Sequence, residues 1–225
     1  MEIRKIATAY TGFPEKFGLP RQGGLVPDLP GRIVMEKEFS GEEFFRGLDG
    51  WSHIWVIWGF SENEGEWHPT VRPPRLGGNK RVGVFASRSP FRPNNLALSL
   101  VKLEKLEFDA AGGTVLFVSG IDMMDGTPVY DIKPYIPQFE SIGDARSGFV
   151  ERVGWEPLEV RAEQTLLEKI PVDMRKGLLQ ALAQDPRPRY QDDPERVYGF
   201  GFAGKEIRFK VQEKALILVD ILDKI

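Results

Sequence analysis

Residues 96–120 read LALSLVKLEKLEFDAAGGTVLFVSG, and the fold class turns on them. Two runs rich in leucine, valine and phenylalanine, Leu96–Phe108 and Thr114–Gly120, flank Ala110-Ala111-Gly112-Gly113. Paired glycines between two such runs let the chain reverse tightly, so the stretch reads as a β-hairpin. Along Leu98, Leu100, Lys102 and Glu104 the alternation lapses, as expected where a strand leaves the core.

The same signals recur on both sides. Ile3–Tyr10, Arg32–Lys37, His53–Phe60, Arg81–Ala86 and Pro128–Ile132 are short, β-branched or aromatic, and bounded by Gly, Pro or Asn. Only Gly41–Leu48 reads as a short helix in this part of the chain. Many short strands with turn signals between them imply a barrel or a sandwich. Past residue 140 the pattern changes. Ala162–Ile170 and Val172–Gln184 have helical spacing, with Pro171 suited to a first turn, and Asp185-Pro-Arg-Pro-Arg189 ends the second helix. Tyr198–Phe202 and Glu206–Val211 then flank Ala203-Gly204-Lys205 as a hairpin, and Ala215–Ile221 is a last strand. The expected architecture is mainly β, with a β-rich N-terminal domain over residues 1–140 and a small α+β domain over residues 141–225.

Composition removes several chemistries. None of the 225 residues is cysteine, which excludes disulfides, thiol nucleophiles, Cys-ligated zinc and Cys-bound iron–sulfur clusters. With only His53 and His68, no multi-histidine metal site is expected. The longest apolar run, Ile54 to Phe60, is too short to cross a bilayer, and MEIRKIATAY lacks the apolar stretch of a signal peptide. A soluble cytoplasmic protein is the expectation. The net charge of −3 is unevenly spread. Residues 35–66 carry eight acids and two bases, whereas residues 72–92 carry Arg72, Arg75, Lys80, Arg81, Arg88 and Arg92 and no acid. Such a stripe is either a solvated face or a surface for a polyanion, since arginine is suited to forked contacts with phosphate.

Four segments invite a chemical reading. Gly199-Phe-Gly-Phe-Ala-Gly204 matches the dinucleotide pattern by letter, but a strand follows it where a helix N-terminus is required, so it reads as a hairpin. Lys16–Gly24 is a glycine- and proline-bearing loop that offers Arg21 and Gln22 to a ligand, or is an ordinary surface loop. Val82–Asn94 sets Arg88, Ser89, Arg92 and Asn94 on a turn stiffened by Pro90 and Pro93; either the turn presents its arginines, or they cap carbonyls. Ile121–Tyr135 holds three aspartates, with Asp125-Gly126-Thr127-Pro128 explicable as a turn. Lys133 and Tyr135, one pleat apart, suit acid–base work or a stacking and phosphate pair. Trp51, His53, Trp55 and Trp58 read as core, and His68 as a loop residue.

In this order the segments resemble the TsaA-like β-barrel family, whose best-understood members are the TrmO tRNA methyltransferases. The resemblance lies in Glu15–Gln22, Gly50–Trp55, Trp67–Asn79, Gly83–Asn94, Asp125–Pro128 and Asp131–Tyr135, while Asp185-Pro-Arg-Pro188 is similar to the two-domain bacterial type. It implies S-adenosylmethionine bound on a β-barrel by a homodimer. The implied reaction methylates N6 of threonylcarbamoyl-adenosine at position 37, in the anticodon loop of threonine tRNA. By resemblance the donor would touch Pro20, Arg21, Gln22, Ser61, Glu62, Arg88, Leu98 and the segment from Gly120 to Thr127, within which Asp122, Gly126 and Thr127 are the candidates. Arg88 or Arg21 suits the donor carboxylate, and Asp122 or Glu62 a positive centre. Lys133 and Tyr135 are the catalytic candidates; Arg72, Arg75, Lys80, Arg92, Asn94, Arg187 and Arg189 are the candidates for RNA, the last two expected to be exposed by their prolines. No metal is implied. The alternatives are a non-catalytic RNA-binding barrel, a methyltransferase of this fold with another acceptor, and an enzyme taking an anionic metabolite.

Overall fold

The computed structural model describes residues 2–63, 67–73, 76, 80–108, 113–151, 156–187 and 193–224. The predicted turn residues Ala110, Ala111 and Gly112, and the RNA candidates Arg75 and Arg189, lie outside them.

Six strands close into a barrel. They are β1 (Ala7–Thr11), β2 (Pro30–Met35), β3 (His53–Gly59), β6 (Leu96–Phe108), β7 (Thr114–Ser119) and β8 (Thr127–Pro134), in the order β1-β2-β7-β6-β3-β8. Every neighbouring pair is antiparallel, including β1 with β8, which closes the ring. The 13-residue β6 makes closure possible. Its first half pairs with β3 from Leu96 to Lys102 and its second half with β7 from Lys102 to Phe108. A register shift between Leu103 and Lys105 bends the strand between the two roles.

Alternation fills the interior with Ala7, Ala9, Ile33, Ile54, Val56, Val101, Leu116, Val118 and Val129, all nearly fully buried. On β6 the inward residues are Ser99, Val101 and Leu103, so the predicted Leu98–Leu100 face is the outer one, and Leu98 is 47% exposed. On β3 only Trp58 of the expected core group is buried. His53 and Trp55 fall on the outward pleat, and Trp51 precedes the strand and is exposed. Arg81–Ala86 is strand only at β5 (Val82–Gly83), paired with β4 (Thr70–Val71). Beyond Gly83 a 3-10 turn takes over, because Ser87 folds its N–H and hydroxyl back onto the Val84 carbonyl. The helix expected over Gly41–Leu48 is two 3-10 turns, Glu42–Phe45 and Leu48–Gly50, parted by Gly47.

After α1 (Pro137–Glu140) come β9 (Glu159–Arg161), α2 (Gln164–Leu167) and α3 (Val172–Ala183), then β10 (Tyr198–Phe202), β11 (Lys205–Gln212) and β12 (Ala215–Asp223). These last strands make a sheet β10-β11-β12-β9 in which β9 runs parallel to β12. Sequence periodicity missed β9, three residues with no internal pattern, and overextended α2, which is a single turn. No described helix is long and apolar enough to cross a membrane.

The two parts share one apolar core, and the segment from Gly12 to Leu29, between β1 and β2, lies at their junction. Phe13 meets Phe202 edge-on at 4.9 Å and Phe200 at 6.0 Å, and Phe17 also meets Phe200. Gly18, at φ +89°, sits where a Cβ would come within 2.5 Å of the Phe200 ring, so no other residue fits. At the other end a Cβ on Gly177 of α3 would lie 2.8 Å from the Leu29 Cα and 2.9 Å from the Asp28 carbonyl. Alanine gains about 1 kcal/mol over glycine in a helix interior, whereas overpacking against backbone costs about 1–3 kcal/mol. Gly177→Ala is therefore expected to lower the thermal unfolding midpoint; an increase would show that the α3 contact yields freely.

Candidate functional site

The antiparallel barrel sends three long connections out of the same end: residues 12–29 after β1, 60–95 after β3, and 120–126 after β7. Pro20, Arg21, Gln22, Ser61, Glu62, Arg88, Asp122 and Gly126 lie in these connections, with Thr127 and Leu98 at the adjoining strand starts. Arg72, Lys80, Arg92 and Asn94 belong to the second connection.

A buried relay organises the centre. Trp58 Nε1–H donates to Ser99 Oγ at 2.8 Å, and the Ser99 hydroxyl donates to Asp122 Oδ1 at 2.6 Å. Gly23 packs so closely on β6 that an added Cβ would lie 3.1 Å from the Ser99 Cβ and the Leu100 carbonyl, and Gly24 N–H bonds the Gly120 carbonyl at 2.8 Å, so the first and third connections are stitched together. Burial pushes the Asp122 carboxyl above the ordinary carboxylate range, despite the opposing pull of Ser99, the backbone N–H groups and the Arg88 cation. Arg88, Arg21 and Gln22 are exposed, as is the apolar Leu98. An acid held back from ionisation, an accessible cation and an apolar wall suit a zwitterionic ligand with an additional positive centre.

The second connection is fixed by two asparagines that the sequence reading passed over. Asn63, 8% exposed, donates its amide to the Pro90 carbonyl, and Asn95 donates to the Asn63 carbonyl. Phe60 N–H bonds the Asn95 carbonyl and Lys16 Nζ the Glu62 carbonyl, so Ser61-Glu62 sits on a braced turn. The signal was faint: an asparagine closing each end of a loop between two apolar strands.

Other candidates are placed differently from expectation. Arg92 spends its guanidinium on the Val84 and Ser87 carbonyls, which makes it a brace of the proline-rich turn, while Arg88 is presented outward. Arg187 is not exposed: its side chain is 13% accessible and forks onto Asp185. Pro186 fixes the backbone before it, and the adjacent Asp185 carboxylate captures the guanidinium. Asp125 accepts the Thr11 N–H, which accounts for it as a turn residue. His68 is exposed in its loop. Lys133 lies at the distant end of β8 and Tyr135 just past it, six and eight residues from Thr127, or about 20 Å and more at strand rise. There Tyr135 packs edge-on against Trp55 at 5.9 Å, Trp55 donates to Glu140, and Lys133 pairs with Asp131. The structure does not bring these two residues to Asp122 within one chain.

A cleft of about 610 Å³ also opens at that distant end, but its lining acids Glu42, Glu43, Asp49 and Glu104 outnumber the bases Arg46 and Lys105, which disfavours a polyanion. Among the described residues no group of three or more His, Cys, Asp or Glu could hold a metal ion.

The profile of the tRNA-methyltransferase O N-terminal domain matches residues 8–141, and that of the TrmO C-terminal domain matches residues 153–224. The chain belongs to the tRNA-methyltransferase O family. It is 50% identical over 171 residues to the tRNA (adenine(37)-N6)-methyltransferase of Eikenella corrodens, covering 75% of this chain and 95% of that protein. To the Escherichia coli K12 protein of the same name it is 37% identical over 221 residues, 94% of each. The crystal structure of TrmO from Pseudomonas aeruginosa superposes with a TM-score of 0.81 at 29% identity, over 98% of this chain and 97% of that one. The match to the TrmO fold thus runs through both the barrel and the C-terminal sheet.

Because the folded state raises the Asp122 pKa, folding favours its protonated form. Its contribution to stability is greatest below the ordinary carboxylate range and is lost as pH rises through the raised value. Asp122→Asn is expected to remove this loss. The difference in melting temperature, variant minus wild type, should grow between acid and neutral pH; a flat difference would contradict the assignment.

Proposed function

We propose that this chain holds S-adenosylmethionine at the Asp122 end of the barrel and methylates N6 of threonylcarbamoyl-adenosine 37 in threonine tRNA. The enzyme class is that of the family: the chain is a tRNA (adenine(37)-N6)-methyltransferase. The observation that carries the finer reading is the convergence, at one barrel end, of the Ser99-bonded Asp122, the exposed Arg88 and the base-rich connection.

In this reading Arg88 or Arg21 pairs with the donor carboxylate, and Asp122 or Glu62 faces a positive centre. Gln22, Leu98 and Gly126, which are exposed, complete the walls, while Pro20 and Thr127 are buried behind them. Bound there, the donor supplies an electrophilic methyl group on a sulfonium. The methyl would pass from the donor sulfur to N6 of the adenosine, its sulfur–carbon bond breaking to leave a neutral thioether, and the N6 proton would go to water. Conjugation to the carbamoyl carbonyl makes that proton more acidic than in plain adenosine, so alignment of the in-line attack carries most of the rate. Arg72 and Lys80, with Arg75 and Arg189 from the sequence, suit the phosphates of the single-stranded anticodon loop. The site of action is the cytoplasm.

Lys133 and Tyr135 can serve this reaction only from a second subunit, because their own donor site is a strand length away. The proposed unit is therefore a homodimer with shared sites. Labelled methyl should enter tRNA carrying the threonylcarbamoyl group and not tRNA lacking it; label in neither would remove the proposed acceptor. Arg88→Ala and Lys133→Ala should each be inactive alone and regain activity when mixed and allowed to exchange subunits. Mixtures that stay inactive would exclude shared sites.

A further inference from the structure

The 18 residues between β1 and β2 contain no helix or strand, and their own backbone bonds are three isolated contacts of 3.1–3.3 Å. A connection of that length fixes little by itself. Yet Gly23 must seat its backbone against Ser99, the partner of Asp122, where an added Cβ would lie 3.1 Å from the Ser99 Cβ, and Arg21 and Gln22 stand beside it. The required order comes from outside the segment: the connection after β7 holds Phe13, Gly24 and Leu29 by main-chain bonds, and the C-terminal sheet and helix grip the side chains near both ends.

At the first end the Glu15 carboxylate accepts the Gly201 N–H at 2.8 Å and meets Lys224 Nζ at 3.3 Å. Ala203 N–H bonds the Gly12 carbonyl at 2.8 Å, and Phe13 and Phe17 pack on Phe200 and Phe202. At the second end Gln180 of α3 grips Asp28 twice. Its amide nitrogen donates to the Asp28 carboxylate at 2.5 Å and its oxygen accepts the Asp28 N–H at 3.1 Å, while Lys176 adds an ion pair at 2.9 Å. Between the two grips Lys16 reaches the Glu62 carbonyl, so the bracing extends to the Ser61-Glu62 turn.

We infer that the C-terminal domain is a two-ended clamp on the donor-binding connection, with Glu15 and Gln180 as positioning residues that act through Gly23, Arg21 and Gln22. The inference rests on the donor site proposed above and adds what the second domain does for it. The effect falls on the methyl donor, because the clamped segment carries Arg21 and Gln22 and seats Gly23 beside Ser99, and not on the affinity for tRNA.

The test uses the full chain. Donor affinity is measured by equilibrium dialysis with labelled S-adenosylmethionine, tRNA affinity by filter binding, and hydrogen exchange over residues 16–26 is followed without donor. Glu15→Ala and Gln180→Ala are each expected to weaken donor binding by about tenfold and to speed exchange in the segment, with tRNA affinity unchanged. Glu15→Gln should recover most of the loss, since its amide oxygen still accepts the Gly201 N–H. Val211→Ala, a core change at the far end of β11, serves as the control for general destabilisation and should leave donor affinity alone. Donor affinity unaltered in Glu15→Ala and Gln180→Ala, or lost equally in Val211→Ala, would overturn the clamp. A fall in tRNA affinity alone would overturn it in favour of an RNA-holding domain. A wild-type protein that binds no donor would remove the proposed site itself, a result distinct from the other two.

Discussion

A single hydroxyl holds the working end of this molecule together. Ser99 occupies an inward position on β6, beside Val101 and Leu103, and is 2% exposed. Left without partners there, it would cost about 1–3 kcal/mol. It is satisfied in both directions, accepting from Trp58 and donating to Asp122. The partner on one side is the barrel wall and on the other the connection after β7, so the relay anchors Asp122 to the rigid sheet. Gly23 brings the connection after β1 against the same serine, where only a residue without a Cβ packs so closely. A position that looks like a defect in the hydrophobic pattern is thus the point from which the site is built.

Much of the β architecture could be read from the chain because half-buried strands announce themselves by period and by their bounding turns. Leu96–Phe108 and Tyr198–Phe202 coincide with the strands observed. What could not be read was which pleat faces inward. Leu98 and Leu100 look more like core than Ser99 does, and Trp55 more than most residues, yet facing depends on the register with neighbouring strands. Trp55 turns outward because its apolar body has Tyr135 to pack on and its indole N–H has Glu140 to meet. The arginines taught the same lesson. Arg92 and Arg187 have the setting of exposed ligands in sequence, but local carbonyls and a neighbouring carboxylate claim them first. The segments of the candidate site stand out in the sequence because glycine, proline and arginine cluster in them; the braces Asn63 and Asn95 do not, because a single amide carries no pattern.

The uneven charge gains meaning from topology. The acids at Glu42, Glu43 and Asp49 belong to the connection between β2 and β3, and the bases at Arg72, Lys80 and Arg88 to the one between β3 and β6. Antiparallel strands put successive connections at opposite ends, so an alternation along the chain becomes a polarity along the barrel axis. A polyanion approaching such a field is drawn to the basic end and repelled from the acidic one before any contact forms. The net charge of −3 conceals this entirely.

A barrel of six strands also dictates where a ligand can go. Eight strands enclose an interior just wide enough for side chains to fill, and here the interior is packed with Ala9, Ile33, Ile54, Val56, Leu116 and Val118. No cofactor fits inside, so any site must be made from connections at a rim. Connections are the least constrained part of a β fold, and a site that must orient an in-line displacement tolerates little looseness. The rim is tightened in three ways: the Ser99 relay from within, the asparagine pair in the connection after β3, and the two-ended grip on residues 12–29 from the C-terminal domain. The second domain then answers a deficit that the barrel's own size creates. A wider barrel could have buried its ligand among strands; this one has to build rigidity outside itself.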